Sequence, residues 1–213
     1  MLEQKLIVGR YLTLNVANPP PPPGAVGSFA TMPVTDCYLA ESSGLFTRSS
    51  QVRLGTGPKA HRNFKWLPWV PGRISEVALV GSDVLTGPMS GCWLVTYRKA
   101  NGVPHAGHLG TDVADPAGTA AVNNTWNAFA NANRGQVIGG FNPLRHWNGP
   151  IPGRQGGDVA APRFFGLFTT ANQYYILVAY QQTANTLKLR VAGLQLQPSS
   201  TLARLRQVDQ PGP

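Results

Sequence analysis

The sequence predicts a β-dominated or α+β fold, an expectation that rests on composition and on residue spacing. Of the 213 residues, 13% are charged and 42% are hydrophobic, and the chain contains 24 Gly and 19 Pro. This composition favours short strands joined by many turns over a helical bundle. One long segment has helical spacing, whereas the other apolar segments alternate or form short runs. The length suits one domain and no linker divides the chain, so we expect a single domain over residues 1–213.

The first part of the chain is predicted to form short strands. Alternation over residues 6–16 predicts the first strand, with a break or bulge at Gly9. The segment Asn18–Gly24, NPPPPPG, favours a rigid polyproline II connection on the surface over a ligand for a Pro-binding module. The aromatic segment 62–71, RNFKWLPWVP, is expected to close one end of the core. Further strands are expected at 29–39, 50–54 and 74–81.

A tight hairpin is predicted at the centre of the chain. Residues 93–97, WLVTY, form a candidate buried strand, and Asn101-Gly102 supplies the positive φ that a tight turn needs. A second extended run after the turn carries His105 and His108 back beside the first strand. The hairpin can therefore bring an imidazole close to the entrance of the first strand.

Cys92 is the chemical focus of this hairpin. It follows Gly91, whose missing side chain permits close approach of a substrate, and it stands directly before the strand. A thiol becomes nucleophilic as the thiolate, and the imidazole of His105 or His108 could take its proton. Because free Cys residues are often simply buried, an inert core Cys beside surface His residues is the alternative.

Downstream of the hairpin the sequence predicts one helix. Asp115 is a suitable N-cap, Pro116 suits the first helical position, and Gly135 is a suitable stop. Apolar residues recur at helical spacing between these ends. A helix face that carries Trp126 and Phe129 is therefore expected to pack on the sheet.

After the helix the sequence predicts a return to strands. A Pro- and Gly-rich passage over 142–163 is long enough to be a loop that rims a site. The tail from Pro198 is expected to be only loosely docked. Strands are expected at 136–141, 164–169, 174–181 and 186–196, the last three as an antiparallel meander.

Metal, nucleotide and hydroxyl-nucleophile chemistry receive little support from the sequence. On a strand, His105 and His108 would point to opposite faces, because they lie three residues apart, so they could chelate a metal only if the chain turned at Gly107. No Walker A sequence and no Ser in a nucleophile-elbow sequence occurs. We therefore expect neither a metal nor a cofactor. The candidate ligands, which include no Cys pair at metal-ligand spacing, are His61, His105, His108, His146, Cys37 and Cys92.

The formal net charge of +9 permits contact with acidic partners. The basic residues are dispersed, however, and no nucleic-acid-binding motif occurs, so we expect no obligatory nucleic acid. A solvated basic surface is the preferred interpretation, and a face that docks a partner is the alternative. The N-terminus is not a typical secretory signal, and no apolar run has the length of a membrane span. Cys37 and Cys92 make no disulfide scaffold, although a single bridge between them stays open.

The hairpin and the residues before it resemble the bacterial toxin glutamine deamidases, a family typified by Burkholderia lethal factor and the catalytic domain of cytotoxic necrotizing factor. Thr86 precedes Cys92 by six positions, as a Thr precedes the catalytic Cys of the lethal factor. Met89-Ser90-Gly91-Cys92 is similar to its Leu-Ser-Gly-Cys, and Leu67-Pro68-Trp69 resembles a Leu-Pro-Trp segment at a similar distance. The resemblance covers residues 66–130.

Two His residues are candidates for the base that the resemblance implies. The segment His108-Leu109-Gly110-Thr111 resembles the His-Thr-Gly-Thr of the necrotizing factors, which favours His108. His105 lies nearer the Cys-to-His separation of the lethal factor and stays the alternative base.

The resemblance implies a fold and a mechanism. The fold would be α+β with a sandwich-like core of mixed and antiparallel strands flanked by helices, of the necrotizing-factor deamidase type, and residues 1–213 would be a single catalytic domain. In the implied mechanism Cys92 attacks the carboxamide of a Gln in a host protein, and His108 acts first as base and then as acid. Thr86 would orient the imidazole, and backbone N–H groups around Gly91 would bind the oxyanion.

The resemblance also implies partners and a location. The host substrate would be the DEAD-box helicase of translation initiation or a Rho-family GTPase. The chain would act as a monomer that is secreted, or delivered to the host cytosol, without a typical signal peptide.

Two other functions stay open. A Cys–His transglutaminase or protease-like enzyme would use the same residues, although the Cys of papain-like enzymes opens a helix whereas Cys92 precedes a predicted strand. A β-rich basic binding module, with Cys92 as a core residue, would engage nucleic acid or an acidic protein. Marked weakening of binding by moderate salt would support that module.

Overall fold

The computed structural model describes residues 2–14, 16, 20–43, 48–55, 57, 63–183 and 186–208, and it confirms the α+β class. The strands are β1 (Tyr11–Leu14), β2 (Phe29–Thr31), β3 (Thr35–Ser43), β4 (Arg48–Leu54), β5 (Asn63–Leu67), β6 (Ile74–Ala78), β7 (Asp83–Met89), β8 (Leu94–Arg98), β9 (Pro104–Leu109), β10 (Val137–Phe141), β11 (Arg163–Phe168), β12 (Tyr174–Thr183) and β13 (Thr186–Gln197). The α-helices are α1 (Pro116–Ala132), α2 (Pro143–His146) and α3 (Leu202–Leu205).

Eight of these strands form a closed barrel, in the order β1-β13-β12-β11-β7-β5-β3-β4. The barrel closes where β4 pairs in parallel with β1. Antiparallel pairing of β11 with β12 and of β12 with β13 confirms the predicted meander. Parallel pairing of β5 with β7 brings the segment that precedes the hairpin into the barrel wall.

Apolar side chains fill the barrel interior, including two from the N-terminal turn. The first strand is shorter than the predicted 6–16, because the chain turns at Gly9, where φ is 85° and the N–H donates to the carbonyl of Val191 at 2.8 Å. The interior side chains include Leu2, Leu6, Leu12, Cys37, Leu39, Phe64, Trp66, Leu85, Phe165, Leu177 and Leu189.

The other five strands form a sheet in the order β10-β8-β9-β6-β2. One face of this sheet packs on the outside of the barrel, because Leu94 and Ala106 from the sheet share an apolar core with Val84, Phe164 and Ile176 from the barrel strands. Antiparallel pairing of β8 with β9 confirms the predicted hairpin. We call the apolar core between sheet and barrel the interlayer core.

Helix α1 covers the other face of the sheet. Its start is as predicted, since the Asp115 carboxylate accepts from the Gly118 N–H at 2.9 Å and Pro116 opens the helix. Trp126 is fully buried against the sheet and Phe129 is partly buried there. Among the described residues, no helix combines the length and the hydrophobicity that crossing a membrane requires.

The C-terminal segment is docked on α1. Leu205 and Val208 are 1% and 2% exposed, and the Trp126 indole donates to the Leu205 carbonyl at 2.6 Å. The expectation of a loosely docked tail is therefore wrong for residues 198–208, because α1 offers buried side-chain partners to this backbone. Residues 209–213 lie outside the described part of the chain.

The described part of the polyproline segment is a fixed surface connection. The guanidinium of Arg73 donates to the carbonyls of Pro22 and Gly24 at 3.3 and 3.1 Å, and Arg73 is itself buried. These bonds hold residues 20–24 against the protein, as expected for a connection. Residues 17–19 are not among the described ones.

An ion pair ties the long passage 142–163 to the barrel. Arg190 of β13 bonds Asp158 through Nη2 to Oδ2 at 2.6 Å and through Nε to Oδ1 at 3.1 Å, and the two side chains are 5% and 0% exposed. These hydrogen bonds hold the pKa of Asp158 below its usual value. The passage is thereby fixed up to Pro162 and Arg163, which reach the candidate site.

Loss of this ion pair should destabilise the fold. We expect Asp158→Asn to lower the free energy of unfolding by about 3 kcal/mol, because it leaves Arg190 buried without its counter-charge. The matched variant Glu41→Gln, in the partly exposed pair with Arg10, should cost less than about 1 kcal/mol. Urea unfolding of both variants measures the difference, and equal effects would contradict the structural role of the Asp158 pair.

Candidate active site

Two residues of the site approach each other across the interlayer core. Thr86 lies in the middle of β7, on the same outward face of the barrel as Val84. His108 lies on β9, in register with Leu94 of β8, whose side chain belongs to the interlayer core. Barrel and sheet thus each contribute one polar side chain to a mainly apolar boundary.

Thr86 and His108 are hydrogen-bonded to each other. The hydroxyl oxygen of Thr86 and Nδ1 of His108 are 2.7 Å apart, and both side chains are 0% exposed. The second ring nitrogen, Nε2, is buried and has no hydrogen-bond partner within the described part of the chain. Because buried polar atoms are normally paired, the free Nε2 is a candidate proton acceptor.

Cys92 lies on the same face of the sheet as His108. Cys92 precedes β8 and packs in the interlayer core with Leu94, which is in register with His108. The thiol lies 3.5 Å from the Thr111 carbonyl, to which it donates, and it accepts from the Thr111 hydroxyl at 3.4 Å. The structure therefore places Thr86, Cys92 and His108 at the same boundary between sheet and barrel, with the thiol hydrogen-bonded to Thr111 and not to Nε2 of His108.

His105 lies on the opposite face of the sheet. Its ring stacks on Tyr97 at a centroid distance of 6.1 Å, and Tyr97 belongs to the core under α1. Its Nδ1 is hydrogen-bonded to the Val103 carbonyl at 3.1 Å. With the sheet between His105 and Cys92, the geometry favours His108 over His105 as the partner of the thiol.

Burial sets the protonation states of the site. Burial lowers the pKa of His108 to about 3, so the imidazole is neutral at physiological pH. Burial raises the pKa of the Cys92 thiol, and hydrogen bonds from Thr111 and Trp69 offset part of this rise. The resting site therefore holds a neutral thiol and a neutral imidazole.

A pocket of about 300 Å³ gives access to Cys92. Asp112 and Arg163, which carry opposite charges, are among the residues that line it. Pro162 and Arg163 are the last two residues of the passage 142–163 that was expected to rim a site. The residues that line the pocket are Trp69, Pro88, Met89, Ser90, Gly91, Cys92, Thr111, Asp112, Val113, Pro162 and Arg163.

Sequence reasoning missed the roles of Trp69 and Thr111 at the thiol. Trp69 packs against the interlayer core, as expected, and it also lines the pocket beside Cys92, whereas Trp66 fills the barrel interior. Strand alternation could not predict the position of Trp69, because β5 ends at Leu67. Thr111 was noted only as part of a resemblance motif.

The two cysteines are free and lie in different cores. Cys37 is in the barrel interior, where burial raises its pKa to about 11, and Cys92 is in the interlayer core. The bridge that the sequence left open is therefore not formed. Among the described residues no group of three or more His, Cys, Asp or Glu side chains could hold a metal ion, and His61 lies outside them.

Comparison with known proteins adds no family assignment. Neither a scan against protein-family models nor a search of curated proteins found a match for this chain. The function is therefore inferred from the geometry and chemistry of the site.

The low pKa of His108 should make stability depend on pH. Below about pH 6.5 the unfolded chain takes up a proton at His108 that the folded chain excludes down to about pH 3, so stability falls as the pH is lowered through this window. When the pH is lowered from about 7.5 to about 5.5, the titration of His108 should reduce the free energy of unfolding by about 1.4 kcal/mol.

Urea unfolding of wild type and His108→Gln at both pH values isolates this contribution. Between the two pH values the free energy of unfolding of the variant should fall by about 1.4 kcal/mol less than that of wild type, because Gln does not titrate. The same loss in both proteins would contradict a neutral, buried His108.

Proposed function

We propose that the chain is a protein-glutamine deamidase that converts a Gln of a host protein to Glu. The observation that carries the proposal is the hydrogen bond between Thr86 and His108, which holds an imidazole with a free Nε2 on the sheet face that carries Cys92. The pocket at Cys92 supports it, since a side-chain carboxamide could reach the thiol there. The likeness of the Thr86–Cys92 spacing to the toxin deamidases points in the same direction.

The fold would be of the necrotizing-factor deamidase type. The stacking of a sheet against a barrel wall, with α1 on the outside, supports a sandwich-like core in which the site lies between two β-layers. Residues 1–213 would form one catalytic domain that needs neither a metal nor a cofactor.

In the first half-reaction the thiol would displace ammonia. Nε2 of His108 takes the proton of Cys92 as Sγ bonds to the carboxamide carbon, and the negative charge moves to the carboxamide oxygen. The C–N bond then breaks as Nε2–H protonates the departing nitrogen. The products of this half are ammonia and a thioester between Cys92 and the Gln side chain.

In the second half-reaction water would replace the thiol. Nε2 of His108 takes a proton from water as its oxygen bonds to the thioester carbon, and the C–Sγ bond breaks as the proton returns to sulfur. The net change is Gln plus water to Glu plus ammonia. The neutral imidazole expected from the low pKa of His108 is the form that both steps require.

Thr86 would hold His108 in the required tautomer. Nε2 can accept a proton only if Nδ1 carries the ring hydrogen, so Nδ1–H would donate to the Thr86 hydroxyl. The role is that of the third residue of a triad, which orients the base and does not itself react.

The host target is the part of the proposal that rests on resemblance alone. It would be the translation-initiation helicase or a Rho-family GTPase, met in the host cytosol by a monomer. The opposite charges of Asp112 and Arg163 beside the pocket offer polar contacts to the residues that flank the Gln.

Deamidation should be lost when Cys92 is replaced. Incubation of host-cell protein with wild type should give the mass gain that accompanies conversion of a carboxamide to a carboxylate, and peptide mapping should locate it at a Gln. Cys92→Ser should give none, whereas Cys37→Ala, which removes the other thiol, should retain the activity. No mass gain with wild type, or an equal gain with Cys92→Ser, would refute the proposal.

The activity should not fall with the titration of an ordinary His. Because the pKa of His108 is about 3, kcat/KM should stay nearly constant between about pH 7.5 and 5.5. If the base had the usual pKa of about 6.5, kcat/KM would fall about tenfold over this range, because most of the base would become protonated. The pH profile of deamidation measures this, and a tenfold fall would show that His108 titrates normally or is not the base.

A further inference from the structure

Asn142, which the mechanism above does not use, is bonded to the backbone next to the thiol. It follows β10 directly and is 0% exposed. Its side-chain Nδ2–H donates to the carbonyl of Gly91 at 2.7 Å. Its Oδ1 accepts from the Arg145 N–H at 3.1 Å, and its own N–H donates to Nδ1 of His146 at 3.0 Å. These bonds fix both ends of the amide, which leaves the side chain one orientation.

The bond to Gly91 also fixes the direction of the next N–H group. The peptide between Gly91 and Cys92 is trans, so its C=O and N–H point in opposite directions. With the carbonyl held toward Asn142, the Cys92 N–H must point away from Asn142. This N–H has no hydrogen-bond partner among the described residues and remains available as a donor.

A side-chain lock is needed here because Gly91 does not restrict its own backbone. Gly has no Cβ to confine its dihedral angles, so the peptide that follows it can rotate more freely than others. A rotated peptide would turn the carbonyl of Gly91, instead of the N–H of Cys92, toward an oxygen on the carbon that Sγ attacks. That carbonyl would repel the developing negative charge.

We infer that Asn142 is a positioning residue that holds the Gly91–Cys92 peptide with the Cys92 N–H ready to bind the oxyanion. The inference deepens the proposed function and rests on the same nucleophile. Asn142 acts through the peptide and does not touch the substrate. Its effect should appear in reactions of Cys92 that pass through an oxyanion and in no others.

Two reagents separate these reactions without a known protein substrate. p-Nitrophenyl acetate acylates a thiol: Sγ bonds to the carbonyl carbon, an oxyanion forms, and p-nitrophenolate leaves as the thiol proton passes to the base and solvent. Iodoacetamide alkylates the same sulfur: the S–C bond forms as iodide leaves and the thiol proton passes to solvent, with no oxyanion. Peptide mapping assigns both products to Cys92 and excludes those at Cys37.

The variant Asn142→Asp isolates the donor. Its carboxylate can still accept from the Arg145 N–H, but it places an oxygen where Nδ2–H met the Gly91 carbonyl. We expect acylation of Cys92 to slow by about 10²–10³-fold, the usual effect of losing one oxyanion donor, while alkylation changes little. Asn142→Ala, which adds no charge, should show the same selective loss of acylation. It replaces the Asp variant in the test if that variant does not fold.

Asn127→Asp is the matched control. The Asn127 amide also donates to a backbone carbonyl, that of Val208 at 3.1 Å, but it lies on α1. The Asn127→Asp variant should keep the wild-type ratio of Cys92 acylation to Cys92 alkylation. Thermal unfolding of each variant checks that the fold persists.

Three results would overturn the inference. They are an equal fall in acylation and alkylation in the Asn142 variants, unchanged acylation in both, and a wild type whose Cys92 is alkylated but not acylated. Failure of the proposed function can be distinguished from failure of this inference. If the wild type deamidates no host protein, the Asn142 variants can still show a selective loss of acylation relative to the wild type.

Discussion

The hydrogen bond between Thr86 and His108 connects the two β-layers of the described fold. Thr86 belongs to the barrel strand β7 and His108 to the sheet strand β9, so the 2.7 Å contact fixes the layers against each other at this point. The surrounding interlayer core is apolar, and exclusion of water lowers the pKa of the imidazole to about 3. The chemistry of the site therefore depends on how sheet and barrel pack, since any gap between them would admit water and restore an ordinary His.

A buried nitrogen without a partner destabilises a protein. An unsatisfied buried donor or acceptor typically costs about 1–3 kcal/mol, and Nε2 of His108 is such an atom among the described residues. An apolar side chain in its place would avoid that cost, and the same layers could pack without it. Other buried side-chain atoms among the described residues, such as Nε1 of Trp93 and Oδ1 of Asn123, are also unpaired, so what distinguishes Nε2 of His108 is its position on the sheet face that carries Cys92.

Local signals in the sequence predicted the helix, the hairpin and the meander. Asp115-Pro116 marks the start of α1 and Asn101-Gly102 marks the turn between β8 and β9, because caps and turns depend on neighbouring residues alone. Barrel closure has no such signal: β1 pairs with β4, and β5 with β7, through contacts between distant segments. The resemblance to the toxin deamidases named Thr86, Cys92 and His108 as candidates, but Asn142 had no signal, because its hydrogen bond is to a peptide 51 residues away.

The most direct test of this account is the protonation state of His108, observed by nitrogen-15 NMR of the labelled imidazole ring. We predict a neutral ring between about pH 5 and 8, because burial excludes the charged form. The proposed role of Thr86 as acceptor predicts that the proton is on Nδ1 and the lone pair on Nε2. Thr86→Val should abolish the preference for this tautomer. A ring that titrates near pH 6.5, or one that carries its proton on Nε2, would contradict the assignment of His108 as the base beside Cys92.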